Sequence, residues 1–223
     1  MQSLPIVSHD SPICLIGGAR ISNGAFSAVK THVATFVAVD SGADFLLAQG
    51  EVPAAVIGDL DSISNAARAA FADRLCHISE QSTTDFEKAL TRIVAPSVIG
   101  LGFTGGRLDH VLSVLNTMAR HAHRAVVLLD ENDTSFVAVA GTTRLHLAQG
   151  TRISVMPIGS ASSVSLSGVV WPFADQVMTL DGFTSPSNAA AGGEVTLTTS
   201  DPVLITLPRE QLAAALTAAV REG

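Results

Sequence analysis

The stretch AAVIGDLDS, residues 54–62, places an apolar run directly before two aspartates, Asp59 and Asp61. A short apolar run bounded by turn residues is typical of a buried strand in a parallel sheet. Open α/β sheets bind their ligands at the carboxyl ends of the strands. Packing alone does not require two carboxylates at that point, so the stretch predicts a strand followed by a ligand site.

Three other apolar runs in the first part of the chain are also closed by glycine or aspartate. They are ICLIGG at 13–18, TFVAVD at 35–40 and SVIGLG at 97–102. Helical patterns lie between these runs, and alternation of strands with helices predicts a mostly parallel sheet with right-handed crossovers.

Two segments carry clear helix signals. TTDFEKALTRIV, residues 83–94, begins with Thr84 as an N-cap and Glu87 three residues later, which is a capping box. In RLDHVLSVLNTMAR, residues 107–120, apolar residues recur at helical spacing. The stripe that they form consists of Leu108, Val111, Leu112, Leu115 and Met118.

The pattern changes near residue 141. The following segments are rich in Ser, Thr and Val, alternate with a period of two, and are separated by Gly, Pro and Asp. This is typical of an antiparallel sandwich or barrel, and a short Ala-rich helix is predicted only near 210–220. The predicted fold class is therefore α/β, with a Rossmann-like α/β/α domain over residues 1–140 and an antiparallel β domain over residues 141–223.

Composition excludes several functional classes. The 223 residues carry a formal net charge of -7 and one Trp, which argues against a nucleic-acid surface with its basic stripe and stacking aromatics. No apolar stretch approaches the roughly 18 residues of a membrane span, and no secretory signal is recognisable, so we expect a cytoplasmic protein.

Cys14 and Cys76 lack CxxC spacing, and we expect free thiols and no structural zinc.

Four aspartates stand at strand ends or helix starts of the predicted first domain: Asp40, Asp59, Asp61 and Asp85. In a parallel sheet these positions share one edge, and converging carboxylates repel one another unless a cation lies among them. Mg²⁺ prefers oxygen ligands and a few carboxylates together with substrate phosphates. Residues i and i+2 of an extended segment point to the same side, so Asp59 and Asp61 are expected to reach one ion or two neighbouring ions. Taken singly, Asp85 could serve only the helix dipole and Asp61 only a turn.

Two glycine-rich turns follow apolar strands, LIGGAR at 15–20 and GFTGGRLDH at 102–110. Glycines allow close backbone approach, and a helix N-terminus attracts anions, so both turns are candidate phosphate sites although no Walker loop is present. Asp109 could orient Arg107, touch the metal or cap the helix. The candidate residues in the two turns are Gly17, Gly18, Arg20, Thr104, Gly105, Gly106 and Arg107.

Four ordered motifs of the first domain together resemble the thiamine pyrophosphokinase family. They are VDSGADFLL at 39–47, PAAVIGDLDSIS at 53–64, QSTTDFEKAL at 81–90 and GFTGGRLDHVLSVLN at 102–116. SGVVWPF at 167–173 and TSPSNAAAGGEVTL at 184–197 resemble signatures of the family's second domain.

The resemblance implies Mg²⁺-dependent transfer of a pyrophosphoryl group from ATP to the hydroxyethyl group of thiamine, which gives thiamine diphosphate and AMP. It also implies a β-sandwich second domain and a homodimer whose active sites lie between one subunit's first domain and the partner's sandwich. Metal and phosphate roles are carried over to the four aspartates. Nucleotide or transfer roles fall on Gln81, Thr84, Arg107 and Asp109, and thiamine-side roles fall on Trp171, Ser185, Ser187 and Asn188.

The sequence departs from the family pattern in two places. The residues after Asn188 are small, AAAGG, where bulkier polar residues are frequent, and the chain ends with an extra Ala-rich helix. Trp171 could also be an ordinary core residue.

Three alternatives remain open at this stage. A related pyrophosphokinase could act on a hydroxymethylpterin. A haloacid-dehalogenase-like phosphatase would use Asp59 as a covalent nucleophile, although its DxD strand stands nearer the start of the chain. A module that only senses a nucleotide or another ligand would not need all four aspartates.

Overall fold

Five parallel strands form the main sheet of the N-terminal unit. The computed structural model describes residues 4–220, and the chain divides into two compact units, residues 1–117 and 118–223. The strands of the first unit are β1 (Val7–Ser8), β2 (Ile13–Ile16), β3 (Thr35–Val39), β4 (Ala55–Gly58), β5 (Leu75–His77), β6 (Ile93–Val94) and β7 (Val98–Leu101). Its helices are α1 (Asn23–Lys30), α2 (Gly42–Ala48), α3 (Asn65–Ala70), the 3₁₀ helix Ala72–Arg74, α4 (Asp85–Leu90) and α5 (Leu108–Arg120), which runs past the unit boundary.

The strand order in this sheet is β7-β2-β3-β4-β5, and each neighbouring pair is parallel. Every residue of β2, β4 and β7 is buried, as expected for strands covered on both faces. The predicted parallel sheet is thus confirmed. Since β7 returns beside β2, the strand order reverses between them, and that reversal is the position where open α/β sheets bind ligands.

The two predicted helices form, with corrections to their extent and orientation. Thr84 is the N-cap of α4 and its side chain accepts from the Glu87 backbone N–H, but α4 ends at Leu90. Residues 93–94 pair instead as β6 with β1. In α5, Leu108 and Leu112 of the predicted apolar stripe are exposed. The residues that α5 buries most completely are Val114, Thr117 and Met118, because apolar spacing alone does not fix which side of a helix meets the core.

The second unit consists of antiparallel strands in two sheets. Its strands are β8 (Val126–Leu129), β9 (Asp133–Ala138), β10 (Gly141–Leu147), β11 (Arg152–Pro157), β12 (Ser162–Ser167), β13 (Phe173–Met178), β14 (Ser185–Ala189), β15 (Gly193–Thr199) and β16 (Val203–Pro208). The strand orders within this unit are β14-β11-β16-β9-β8 and β10-β15-β12-β13. The predicted antiparallel architecture is confirmed, whereas the predicted boundary at residue 140 remains a prediction.

The predicted C-terminal helix is present as α6 (Leu212–Ala219), preceded by the 3₁₀ helix Arg209–Gln211. It packs on β8, β9 and β10, and it buries Leu212 and Ala215. The extra helix therefore stabilises its own unit. Among the described residues, no helix is both long and apolar enough to cross a membrane.

Gly42 offers a direct test of how tightly α2 packs on the sheet. A Cβ at this residue would lie 1.8 Å from the carbonyl oxygen of Ile16. Alanine normally favours a helix over glycine, but here the backbone must shift, so we expect Gly42→Ala to lower the free energy of unfolding by about 1–3 kcal/mol in urea denaturation. Gly159→Ala is the control because its Cβ would meet nothing within 4 Å. A Gly42→Ala protein as stable as the wild type would contradict this packing.

Candidate functional site

Three carboxylates meet at the carboxyl ends of β3 and β4. Asp40 follows β3, Asp59 and Asp61 follow β4, and one oxygen from each lies within 4.8 Å of the others. We call these three residues the acid cluster. Asp40 is only 8% exposed, and its Oδ1 has no hydrogen-bond partner. A buried carboxylate oxygen without a partner is costly unless a cation satisfies it, so this donor set fits a small divalent cation with oxygen ligands.

The backbone brings Asp59 and Asp61 together by a turn. The expected extended geometry is wrong, because β4 ends at Gly58 and Leu60 has a φ of 62°. This left-handed conformation is uncommon for Leu, and burial of the Leu60 side chain stabilises it here. The Asp61 backbone N–H donates to Asp59 Oδ1 at 3.3 Å, which closes the turn. The carboxylates of Asp59 and Asp61 therefore converge on one site, because the Leu60 side chain between them is anchored in the core.

Asp85, at the start of α4, borders the acid cluster. Its Oδ1 accepts from the Asp59 backbone N–H at 3.2 Å and from Lys88 Nζ at 2.9 Å. Gly58 eases this approach, because a Cβ at residue 58 would lie in tight contact, 3.3 Å, with that same oxygen. Asp85 thus fixes the turn after β4 and also binds a lysine that the sequence did not predict as a site residue.

Lys88 is 2% exposed, and its Nζ lies 3.9 Å from Asp59 Oδ2. The signal for Lys88 was present in the sequence. Lys88 stands three residues after Asp85, and side chains at that spacing meet on a helix. It is also a charged residue in a predicted helix that contains several apolar residues.

The surroundings shift the pKa values of two acids in the cluster in opposite directions. Burial raises the pKa of Asp40, and the nearby charges of Asp85, Asp61 and Asp59 raise it further against a lowering hydrogen bond from Ser41. Burial also acts to raise the pKa of Asp59, but the Asp61 N–H, the Gln81 amide and the Lys88 charge outweigh it and hold that pKa below its usual value. Asp40 is therefore the member whose charge most needs compensation.

A cavity of about 650 Å³ opens over the acid cluster at the β2/β7 reversal. It brings together most of the site residues that the sequence predicted in this unit. Those that line it are Gly17, Gly18, Asp40, Asp59, Asp61, Gln81, Thr84, Asp85, Gly105, Gly106 and Arg107. Arg20, Thr104 and Asp109 were also predicted but do not line it.

Arg107 and Asp109 form a two-bond ion pair at the start of α5. Arg107 Nε and Nη2 donate to Asp109 Oδ1 and Oδ2 at 3.1 and 2.6 Å. The hydrogen bonds from Arg107 lower the pKa of Asp109, and the same bonds raise the pKa of Arg107. Of the three roles considered for Asp109, the structure shows the one in which it orients Arg107.

The sequence also missed one wall of the cavity. His110 and Ser113 of α5 line it together with Arg107, which directly precedes the helix, and their i, i+3 spacing places His110 and Ser113 on one face of α5. That spacing was the available signal. Ser41 and Phe103 line the cavity from the loops after β3 and β7.

In the second unit, Trp171 is 62% exposed, so its interpretation as a core residue is wrong. Asn188 is buried and bonds the backbone of Trp171 in both directions, with Nδ2 donating to the carbonyl at 2.8 Å and Oδ1 accepting from the N–H at 3.2 Å. Ser185 is buried, and Ser187 has a φ of 58° with its N–H donating to Ser154 Oγ. Asn188 thus holds the Trp171 backbone and leaves the ring exposed.

The parallel sheet, with the acid cluster after β3 and β4 and a cavity that reaches the β2/β7 reversal, defines an α/β protein with a candidate ligand site at the strand ends. The family model "Thiamin pyrophosphokinase, catalytic domain" matches residues 26–129, and "Thiamin pyrophosphokinase, vitamin B1 binding domain" matches residues 142–204. Since these two models cover most of the chain, it belongs to the thiamin pyrophosphokinase family. The family consists of enzymes, as its members' names state.

Relatives and solved structures agree with this assignment. Thiamine pyrophosphokinase 1 of Oryza sativa subsp. japonica is 25% identical over 173 residues, which cover 70% of this chain and 66% of the relative, so the chain spans just under two thirds of that relative. Thiamin pyrophosphokinase from Candida albicans superposes with a TM-score of 0.78 at 17% identity, covering 92% of this chain and 94% of its own. The enzyme from Geobacillus thermodenitrificans gives 0.75 at 23% identity, with 91% and 99% covered. At such identities the solved structures show the shared fold alone.

Replacement of Asp40 tests the cost of its buried charge. Its raised pKa means that stability falls as pH rises from 3.8 through the folded value and stays reduced at neutral pH. Asn tolerates the φ of 47° found here. We therefore expect Asp40→Asn to raise the thermal midpoint at pH 7 in EDTA and to lose any midpoint gain caused by Mg²⁺.

Asp10→Asn is the control for this measurement, because Asp10 is an exposed acid of the same unit. Asp10→Asn should change neither the thermal midpoint in EDTA nor the midpoint gain caused by Mg²⁺. A lower midpoint for Asp40→Asn in EDTA would show that its charge is already compensated.

Glu80 shapes the loop that carries Gln81 and Thr84. Its Oε2 accepts from the backbone N–H and hydroxyl of Ser82 and from the backbone N–H of Thr83, and its Oε1 accepts from the Thr83 hydroxyl. In this loop Gln81 Nε2 donates to Asp59 Oδ2 at 3.3 Å. The hydroxyl groups of Ser82 and Thr83 lower the pKa of Glu80 to about 2.

The depressed pKa fixes the pH range over which Glu80 holds the loop. The contribution is complete above the ordinary value of 4.5 and disappears as pH falls through about 2. We expect Glu80→Gln to speed hydrogen exchange at the Ser82 and Thr83 amides at neutral pH, with the difference from wild type shrinking below pH 4.5. Glu210→Gln, at an exposed acid of the second unit, should leave both amides unchanged. Equal exchange in Glu80→Gln and wild type would refute the loop role.

Proposed function

We propose that this chain transfers a pyrophosphoryl group from ATP to the hydroxyl of thiamine and so forms thiamine diphosphate and AMP. The single observation that supports this most strongly is the acid cluster, whose oxygens lie within 4.8 Å of one another beneath a cavity of about 650 Å³. Family membership supports the substrates, since the matched family models name thiamin pyrophosphokinase and vitamin B1 binding.

Asp40, Asp59 and Asp61 are the residues that would hold Mg²⁺, because the unpartnered buried Oδ1 of Asp40 needs a cation. When bound, Mg²⁺ supplies positive charge to the phosphate oxygens during transfer. Asp85, the fourth predicted ligand, is already bonded to Lys88 and to the Asp59 backbone. In this proposal it completes the metal site from the border of the cluster.

The rest of the cavity suits a polyphosphate. Gly17 and Gly18 after β2 and Gly105 and Gly106 before α5 line it, and their backbone can approach a phosphate closely. Arg107, oriented by Asp109, offers charge-assisted bonds to phosphate oxygens. These groups position ATP with its β-phosphorus near the acid cluster, and Gln81 and Thr84 complete the nucleotide side.

In the transfer step, the thiamine hydroxyl oxygen forms a bond to the β-phosphorus of ATP. The bond between that phosphorus and the oxygen bridging to the α-phosphorus breaks, and AMP leaves with the bridging oxygen. The hydroxyl proton passes to a carboxylate of the acid cluster. Phosphoryl transfer of this kind depends on positioning and charge neutralisation, which matches a site that has many ligands for phosphate and needs no protein nucleophile.

The thiamine side of the proposal rests on the second unit. The exposed ring of Trp171 offers an aromatic face to a cationic thiazolium, and Ser185, Ser187 and Asn188 belong to the same thiamine-side segment. We further propose, from the family resemblance, a homodimer in which each subunit's Trp171 serves the partner's cavity. The cytoplasmic location and the absence of nucleic-acid and membrane partners remain predictions from the sequence.

The function is tested by incubating the protein with ATP, Mg²⁺ and thiamine and separating the products by chromatography. We expect thiamine diphosphate and AMP in equal amounts. Asp61→Asn should lower turnover by at least about a hundredfold, the scale expected when charge stabilisation at a transfer site is lost, with an unchanged fold by circular dichroism. Asp73→Asn is the matched control, because Asp73 is 77% exposed and lies outside the cavity, and it should retain wild-type turnover.

Each alternative predicts a different outcome of the same assay. A hydroxymethylpterin in place of thiamine as the better acceptor would change the substrate and keep the chemistry. Inorganic phosphate release with a trapped phosphate on Asp59 would indicate the phosphatase. Tight ATP binding without AMP formation would indicate a sensing module.

A further inference from the structure

Lys88 is a buried cation beside the acid cluster. Its side chain is 2% exposed, and Nζ lies 2.9 Å from Asp85 Oδ1 and 3.9 Å from Asp59 Oδ2. An ammonium group is costly to bury unless it is paired. The chain contains only one other lysine, Lys30, which is on the surface and pairs with Glu51.

The negative charge at this place exceeds what Lys88 can neutralise. Of the four aspartates Asp40, Asp59, Asp61 and Asp85, only Asp59 and Asp85 have an ion pair with Lys88, and Asp40 Oδ1 is left without a partner. Lys88 contacts Asp85 most closely and Asp59 next. The three oxygens of the acid cluster lie within 4.8 Å of one another. Lys88 therefore compensates only part of their negative charge.

A lysine at such a position acts on a divalent cation through charge. The Lys88 ammonium group and a divalent cation would both be attracted by the same carboxylates and would repel each other. The presence of one therefore weakens the binding of the other. The compact ammonium group can lie against Asp85 without occupying the space between Asp40 and Asp61. Lys88 thus differs from a metal ligand and from the exposed Arg107, which pairs with Asp109.

We propose that Lys88 is a positioning residue that serves as the resident counter-ion of the acid cluster. It holds Asp85 and Asp59 in place when no divalent cation is bound, and its charge sets how tightly the acid cluster binds one. This inference rests on the proposed function only in that the acid cluster binds a divalent cation, and it does not depend on thiamine.

The test measures Mg²⁺ binding without nucleotide. The thermal unfolding midpoint is followed over a Mg²⁺ series at constant ionic strength, starting from EDTA, and the dissociation constant is taken from the concentration dependence. Lys88→Met removes the charge and keeps the aliphatic stem. We expect a lower midpoint in EDTA, a larger gain with Mg²⁺ and a dissociation constant about tenfold smaller than in wild type, as expected when a nearby competing charge is lost.

Three further variants separate charge from packing. Lys88→Arg keeps the charge in a bulkier group, so unlike Lys88→Met it should bind Mg²⁺ no more tightly than wild type. The double variant Lys88→Met/Asp85→Asn removes one charge of each sign, so its midpoint in EDTA should recover relative to Lys88→Met, which also keeps the test valid if the single variant folds poorly. Lys30→Met controls for loss of a surface lysine and should leave Mg²⁺ affinity unchanged.

Unchanged or weaker Mg²⁺ binding by Lys88→Met, or no recovery in the double variant, would overturn the counter-ion role. A wild-type protein and a Lys88→Met protein that both fail to bind Mg²⁺ would overturn this proposal together with the metal part of the proposed function. Mg²⁺ binding that responds to Lys88→Met without formation of thiamine diphosphate would support the counter-ion role and reject only the proposed reaction.

Discussion

Mutual repulsion among carboxylates at one sheet edge is the constraint on which the site depends. Parallel pairing of β3 with β4 places the residues that follow each strand side by side, and each strand is followed directly by an aspartate, Asp40 or Asp59. The fold withstands the resulting repulsion because the backbone around the acid cluster is anchored by buried apolar residues. Leu60 is the clearest case, since its buried side chain holds a backbone conformation that Leu rarely adopts. The uncompensated negative charge is thus concentrated at one place, where a cation would offset it.

Both negative and positive groups line the cavity. Carboxylates line it after β3 and β4, and glycine turns and Arg107 line it after β2 and before α5. This arrangement suits a ligand that is itself divided into a cation and a polyanion, as a metal-bound polyphosphate is. The loop held by Glu80 adds neutral donors, because Gln81 is bonded to Asp59. Gln81 and Asp59 therefore hold each other in place before any ligand arrives, as Arg107 and Asp109 do.

In the second unit, too, one residue holds another in place, since Asn188 is bonded to Trp171. The buried amide of Asn188 is bonded to the Trp171 backbone, so this point of the loop is held in place while the ring of Trp171 stays exposed. An exposed aromatic side chain on a fixed backbone loses little conformational entropy when it binds a flat ligand. In the proposed function the Ser-Asn segment would thus contribute to recognition indirectly, because Asn188 holds the backbone of Trp171.

The sequence by itself indicated the alternation of strands and helices in the first part of the chain, the antiparallel strands of the second part, and the aspartates and glycines at the strand ends. These features follow from local periodicity, capping and turn chemistry, which a short segment expresses on its own. Only the tertiary structure decided that α4 stops at Leu90, that Leu60 turns the backbone between two aspartates, and that Lys88 is buried against Asp85 and Asp59. Those outcomes depend on which distant residues surround a side chain, because burial and charge balance are properties of the assembled fold.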